Sequence, residues 1–143
     1  MTGDRAKGTY TLLIGLDEDT EIEVGALGVR EFPAGWYAYT GSALGSGGFA
    51  RVDRHRRVAR GDYDTCFWHI DYLLRRSATT LESAVRSAGV DAECEVARSL
   101  PGRSIPGFGA SDCDCDAHLT YTAGRAELAS AIERAHSKGR DVG

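Results

Sequence analysis

The sequence lacks the features of a membrane or secreted protein. It has no apolar run near the roughly 20 residues that a membrane-spanning helix needs. Its start, MTGDRAKGTY, contains no apolar segment of the signal-peptide kind. It has only four cysteines, and the one-residue gap between Cys113 and Cys115 is poorly suited to a disulfide framework. We therefore expect a cytoplasmic protein with no membrane partner.

Lysine is also scarce. Lys7 and Lys138 are the only lysines among 17 basic residues, and 21 acidic residues bring the formal net charge at pH 7 to -4. A length of 143 residues suits one domain whose core needs no metal or disulfide, and no internal repeat or low-complexity block is present. We predict a single domain over 1–143, with its core at about 8–100 and a C-terminal strand and helix at 117–138.

Hydrophobic periodicity predicts strands first and helices later. The segment GTYTLLIGL alternates, with Tyr10, Leu12 and Ile14 on one face and Thr11 and Leu13 on the other. Further strands are predicted in EIEVG, GVREF, WYAYT, TTLESAVRSA and AHLTYT, and helices at 49–60 and in FWHIDYLLRR, DAECEVARSL and RAELASAIERAHSK. PGRSIPGFGASDCDCD is predicted as a loop. This order predicts a small α+β domain with a central, mostly antiparallel sheet flanked by helices.

The stretch YTGSALGSGGFARVDRHRR, residues 39–57, joins a tyrosine, a glycine-rich bend and an arginine-rich helix. Residues 51–60 contain five arginines and one aspartate, a local charge of +4 in an acidic chain. On a helix Arg51 and His55 are offset by only about 40°, so they share a face. Arginine forks match phosphate oxygens, and a glycine-rich bend at a helix start offers N–H donors to an anion. The alternative is a solvated basic face without a ligand.

Three motifs together resemble the GIY-YIG nuclease superfamily. Gly8-Thr9-Tyr10 stands for the first triplet, Tyr39-Thr40-Gly41 for the second, and Arg51 and His55 for the helical arginine and the residue one turn later. His69 in WHIDYLL resembles a histidine that some members carry. Threonine replaces isoleucine in both triplets, and the insert between them is longer than usual. The resemblance covers roughly 8–100 and is closest to a largely archaeal branch that also occurs fused to endonuclease III-type DNA glycosylases.

The resemblance implies a small GIY-YIG-like domain that hydrolyses phosphodiester bonds in DNA, in repair or recombination, with one Mg²⁺ or Mn²⁺ ion. The catalytic residues that it implies are Tyr10, Tyr39, Arg51, His55 and His69, and the nucleic-acid-binding residues are Gly41, Ser42, Arg54, Arg56 and Arg57. It also implies DNA as a partner, and a repair glycosylase as a candidate protein partner. The alternative is a module that kept the scaffold, binds nucleic acid within a repair system and has lost turnover.

A nuclease of this superfamily also needs a metal-binding glutamate on its third helix. On a helical wheel of DAECEVARSL, Glu93 lies in the middle of the apolar stripe with Val96 and Leu100, whereas Glu95 points away. An inward carboxylate is costly unless a metal or a donor satisfies it. We therefore predict Glu93 as the metal ligand, with Glu82 as the reserve candidate. The alternative is a boundary glutamate that extends to solvent.

The segment DCDCDAH, residues 112–118, invites a zinc interpretation through Cys113, Cys115 and His118. Its spacing is poor for paired zinc cysteines, and no second C-x-x-C is present. The alternating aspartates resemble part of a calcium loop, but the glycine and distal glutamate of an EF-hand are missing. A structural turn is expected, with a cysteine-metal interaction domain as a third functional class. His136, in the last helix, is expected to face solvent.

Overall fold

The computed structural model describes residues 8–24, 28–42, 50–61, 69–76, 78–88, 96, 99–105 and 119–141. Seven strands are present in these ranges: β1 (Gly8–Leu16), β2 (Thr20–Glu23), β3 (Val29–Phe32), β4 (Gly35–Ser42), β5 (Thr79–Ala88), β6 (Arg103–Ile105) and β7 (Leu119–Thr122). The helices are α1 (Ala50–Ala59), α2 (His69–Leu74) and α3 (Arg125–Asp141), and Val96 and Ser99 are also helical. No helix in the described ranges is long and apolar enough to cross a membrane.

The central sheet has the strand order β5-β1-β4-β7-β6, and every pairing in it is antiparallel. A separate pair, β2 and β3, forms an antiparallel two-stranded sheet. The predicted α+β fold with a central antiparallel sheet and flanking helices is confirmed. β1 pairs with both β4 and β5, so the strand that carries the first triplet lies inside the sheet and pairs directly with the strand that carries the second.

The loop prediction for residues 101–116 is wrong in part, because β6 forms at 103–105 and pairs with β7. Three residues are too few for an alternating pattern to be visible in the sequence. The strand begins directly after Gly102, which has φ of +102°. A Cβ at Gly102 would collide with the carbonyl oxygen of Tyr121, so only glycine lets the chain pass this close to β7.

Side chains alternate between the two faces of the central sheet, as predicted for β1. On the first face, Leu12 and Ile14 pack with α1 and α2 through residues such as Val52 and Leu73. On the second face, Leu13 packs with α3 in a cluster that also contains Ala38, Val96, Leu100, Leu128, Ala131, Ile132 and Ala135. Because successive strand residues point to opposite faces, β1 contributes to both cores. The terms first face and second face are kept below in this sense.

The expectation that His136 faces solvent is wrong. His136 is fully buried on the second face, and its Nε2 lies 2.8 Å from Oγ1 of Thr11. Thr11 Oγ1 is in turn 3.0 Å from Oγ1 of Thr40, across the β1–β4 pairing. On α3, His136 is offset by about 40° from the buried Ile132, so it belongs to the inward stripe. A buried imidazole needs a polar partner; the Thr11 hydroxyl provides one, and Thr11 is itself hydrogen-bonded to Thr40.

Candidate functional site

Three of the predicted catalytic side chains meet on the first face. Tyr10 Oη on β1 lies 2.8 Å from His55 Nε2 on α1, and the tautomer of His55 decides which atom donates. Their ring centroids are 5.6 Å apart. Tyr39 on β4 approaches the same imidazole edge-on, with centroids 5.9 Å apart and an interplanar angle of 76°. Tyr10 and His55 are each 1% exposed, and Tyr39 is 9% exposed.

Local sequence patterns explain why these rings converge. Tyr10 pairs with Gly41 and Leu12 pairs with Tyr39 in the β1–β4 register, so both tyrosines project from the first face two residues apart along the sheet. On α1, His55 lies between the buried residues Val52 and Val58, each three positions away, and therefore shares their inward side. The predicted meeting of a strand tyrosine with the helical histidine is thus a consequence of periodicity in both elements.

Gly41 is required by the ring of Tyr10. A Cβ built at Gly41 would lie 2.5 Å from Tyr10 Oη and 2.6 Å from its Cζ. Real Cβ atoms do not approach other heavy atoms this closely, because packed atoms repel steeply at such distances. The glycine that ends the second triplet therefore leaves room for the tyrosine that ends the first, which couples the two motifs sterically. Its predicted role in binding nucleic acid is a separate prediction.

We expect Gly41→Ala to destabilise the protein by about 1–3 kcal/mol through overpacking, and to slow any reaction that needs Tyr10. Gly15→Ala is the matched control, since a Cβ at Gly15 would lie 2.8 Å from the ring of Trp36 on the second face. Urea unfolding should show losses of stability in both variants. Unchanged stability in Gly41→Ala would contradict the close contact with Tyr10.

Arg54 contacts an aspartate on the neighbouring helix. Its Nη1 donates to both carboxylate oxygens of Asp71 on α2, at 3.2 and 3.0 Å. Asp71 is fully buried, and the Arg54 side chain is 25% exposed. The guanidinium therefore joins α1 to α2 and offsets the charge of a buried carboxylate. Its predicted binding to nucleic acid remains a prediction, but its positive charge is already balanced within the fold.

Arg54→Ala should destabilise the protein by about 3 kcal/mol, because it leaves the Asp71 carboxylate buried without its ion-pair partner. Arg56→Ala is the control on the same helix. Arg56 lies 4.0 Å from Asp53 in an exposed pair, and such pairs contribute about 0–1 kcal/mol. Chemical denaturation of both variants measures the difference. A loss below about 1 kcal/mol in Arg54→Ala, with a large loss of DNA affinity, would instead support a binding role for Arg54.

The other predicted site residues are placed less completely. Arg56 and Arg57 are exposed on α1. Ser42 ends β4, Arg51 precedes His55 by one helical turn on α1, and His69 begins α2. For Ser42, Arg51 and His69 only the backbone positions are described, so the roles of these three side chains stay predictions.

The reserve metal ligand Glu82 lies away from the Tyr10–His55 pair. Arg125 of α3 donates to Glu82 Oε1 through Nε at 2.9 Å and Nη2 at 2.7 Å. The same guanidinium lies 5.6 Å from the ring centroid of Trp36, which packs in the second-face cluster. Glu82 is therefore bound by an arginine on the α3 side of the sheet.

Glu93 lies outside the described residues, as do the cysteines Cys113 and Cys115 and the neighbouring His118. Within the described part of the chain, no group of three or more histidine, cysteine, aspartate or glutamate side chains is arranged to hold a metal ion. Val96 and Leu100, which share the predicted stripe of Glu93, are buried in the second-face cluster. The predictions for Glu93 and for the cysteine segment remain untested.

Two buried polar groups near the site were not anticipated from the sequence. The Thr11–Thr40–His136 network lies on the second face, and its threonines directly follow Tyr10 and Tyr39 in the sequence. Tyr37 is fully buried on the first face and donates to the carbonyl oxygen of Pro33 at 2.7 Å. Burial, and secondarily the neighbouring Tyr121, raise the pKa of Tyr37 far above its usual value, so this phenol stays neutral and serves the fold.

A family model described as "Domain of unknown function DUF123" matches residues 9–140. No curated protein matches the chain, and no solved structure matches it. The match spans β1 to α3, so it includes both tyrosine strands, the histidine of α1 and the helix that carries His136. The chain therefore belongs to the DUF123 family.

Proposed function

We propose that this DUF123 chain is a GIY-YIG-type endonuclease that hydrolyses phosphodiester bonds in DNA with the help of a divalent metal ion. The observation that carries the proposal is the 2.8 Å hydrogen bond between Tyr10 and His55, with Tyr39 against the same imidazole. These side chains come from the three separate motifs on which the resemblance rests. Their convergence in a sheet-and-helix scaffold supports a shared site.

The Tyr10–His55 pair is suited to moving a proton. In the tautomer that leaves Nε2 unprotonated, the Tyr10 hydroxyl donates to His55, which favours phenolate character on Oη. A water attacking phosphorus gives its proton to Oη as the phenol proton passes to Nε2. The P–O bond to the 3′ oxygen breaks with its electron pair on that oxygen, a solvent water protonates it, and the proton held by His55 returns through Tyr10 to solvent, so charge and protons balance. General acid–base catalysis of this kind contributes about 10²- to 10⁴-fold in rate.

A single Mg²⁺ or Mn²⁺ ion would neutralise negative charge on the scissile phosphate. Two acidic residues near the sheet already have cationic partners, since Arg54 binds Asp71 and Arg125 binds Glu82. Glu93, which lies outside the described residues, stays the proposed ligand. The proton transfer described above involves only Tyr10, His55, the substrate water and solvent.

The burial of the pair favours a second candidate function. Tyr10 and His55 are each 1% exposed, whereas a general base must reach within hydrogen-bonding distance of its water. A Tyr–His pair closed to solvent also suits a structural role in a scaffold that binds nucleic acid without cutting it. In that case the basic residues of α1 would provide affinity, and the buried hydrogen bond would only orient α1 against the sheet.

A cleavage assay separates these functions. Linear, flapped, damaged and branched DNA substrates are incubated with the protein and Mg²⁺, Mn²⁺ or a chelator, while binding is followed in parallel. The nuclease proposal expects ion-dependent cleavage of at least one substrate, and affinity that falls steeply with salt because arginines displace condensed counterions. Binding without cleavage in either ion supports the second function. Absence of both binding and cleavage overturns both.

A further inference from the structure

A groove lies on the first face, between the C-terminal end of α1 and the start of β5. Its volume is about 320 Å³. It is lined by Arg56, Ala59, Arg60, Thr79, Thr80 and Leu81. Arg56 was predicted to bind nucleic acid, but the sequence patterns did not bring Thr79, Thr80 or Leu81 to it, because the helix and the strand are separated by about twenty residues of chain.

The groove has the charge and shape of an anion site. Arg56 and Arg60 are both exposed and, being four residues apart on α1, are offset by about 40°, so they face the groove together. No described lining residue is acidic. The pair that Arg56 forms with Asp53, at 4.0 Å and exposed, compensates little of its charge. Thr80, also exposed, adds a neutral hydroxyl donor.

We propose that this groove binds a backbone phosphate of the DNA strand that is cut at the Tyr10–His55 pair. The inference rests on the proposed function and adds the path of the substrate to it. Guanidinium forks match phosphate oxygens in geometry and charge, and a concave site holds them on two sides of one anion. Free inorganic phosphate shares this chemistry, so the experiment below distinguishes the two sources.

The strand register gives the offset along β1 between the groove and the Tyr10–His55 pair. Leu81 and Thr80 pair with Ile14 and Gly15, whereas Tyr10 lies four residues earlier on β1. Four residues of extended strand span about 13 Å. Duplex DNA carries one phosphate per about 3.4 Å of axis on each strand. A duplex whose axis runs along β1 would therefore place in the groove a phosphate about four nucleotides from the cleaved bond, and such a substrate must extend that far on one side.

The test compares the wild-type chain with Arg56→Gln/Arg60→Gln in salt titrations of duplex binding. Loss of two phosphate contacts should reduce the slope of log K against log salt by about 1.8, so the fall in affinity between 50 and 200 mM salt becomes about tenfold smaller. Wild-type affinity should also rise when the duplex is lengthened past about four nucleotides on one side of the cut, and the double variant should lose this step. Arg30→Gln/Arg134→Gln, which removes two exposed arginines elsewhere, should keep both properties.

Several outcomes overturn the groove. If Arg56→Gln/Arg60→Gln keeps the wild-type salt dependence and the wild-type gain in affinity with duplex length, the groove does not bind the DNA. The nuclease proposal would stay intact, provided that the wild-type chain cuts DNA and Tyr10→Phe does not. Equal losses of salt dependence and of the length effect in Arg30→Gln/Arg134→Gln would show that general surface charge, and not the groove, is responsible. Millimolar inorganic phosphate that binds the wild type and not the double variant, without displacing DNA, would assign the groove to free phosphate. A wild-type chain that binds no DNA would overturn both proposals.

Discussion

Replacing Tyr10 with phenylalanine should lower the rate of DNA cleavage by about 10²- to 10⁴-fold while the protein still folds. The substitution keeps the buried ring and removes only Oη, the atom that lies 2.8 Å from His55 Nε2. Loss of this hydroxyl breaks the proposed proton path from water to the imidazole. The loss of one buried hydrogen bond should cost about 1 kcal/mol of stability. Single-turnover cleavage and urea unfolding of the same preparation measure the two effects.

Tyr37→Phe is the matched control for that experiment. Tyr37 is also fully buried on the first face, and its hydroxyl makes a 2.7 Å hydrogen bond to the Pro33 carbonyl oxygen. It should lose a similar amount of stability and keep the wild-type cleavage rate. Equal cleavage by both variants would assign the Tyr10–His55 hydrogen bond to the fold alone. The general base of the nuclease would then have to be another residue, whereas binding without any cleavage by the wild-type chain would support the second candidate function.

Glu93→Ala should abolish metal-dependent cleavage and leave most of the DNA affinity in place. The proposed metal needs a carboxylate ligand, and arginines bind both Asp71 and Glu82 in the described structure. The sequence pattern places Glu93 on an apolar stripe, where a carboxylate is costly unless a cation balances it. Its removal should therefore cost little stability but several kcal/mol of transition-state stabilisation. Cleavage rates over a range of Mg²⁺ and Mn²⁺ concentrations measure this loss.

Glu95→Ala is the control, since the helical wheel places Glu95 opposite Glu93. It should cleave DNA like the wild-type chain. Val96 and Leu100, which share the predicted stripe of Glu93, pack on the second face, so wild-type cleavage by Glu93→Ala would mean that this stripe does not serve the Tyr10–His55 pair. If the two variants cleave equally well, Glu93 is not the ligand, and the carboxylate must come from another segment. If both lose activity together with stability, the helix has a structural role.

Much of the scaffold could be predicted from periodicity. Alternation in residues 8–16 predicted which side of β1 each residue occupies, and the two clusters on either side of the sheet confirm it. The register of β1 with β4 then places Tyr10 opposite Gly41, so two triplets about thirty residues apart form one steric unit. Such patterns are reliable because the period of a helix or strand fixes which of its side chains share a face, whichever element packs against that face.

By itself, the sequence determined most of the strands and helices, the face on which Tyr10 lies and the motifs expected to form the site, but not the short strand β6. Only the tertiary structure decided which partner each polar side chain found. It buried His136 against Thr11, paired Arg54 with Asp71, and paired Glu82 with Arg125. These contacts join segments from 17 to 125 residues apart in sequence. Periodicity shows that a residue is buried, but the identity of a polar partner depends on which elements pack together, and that is a property of the whole fold.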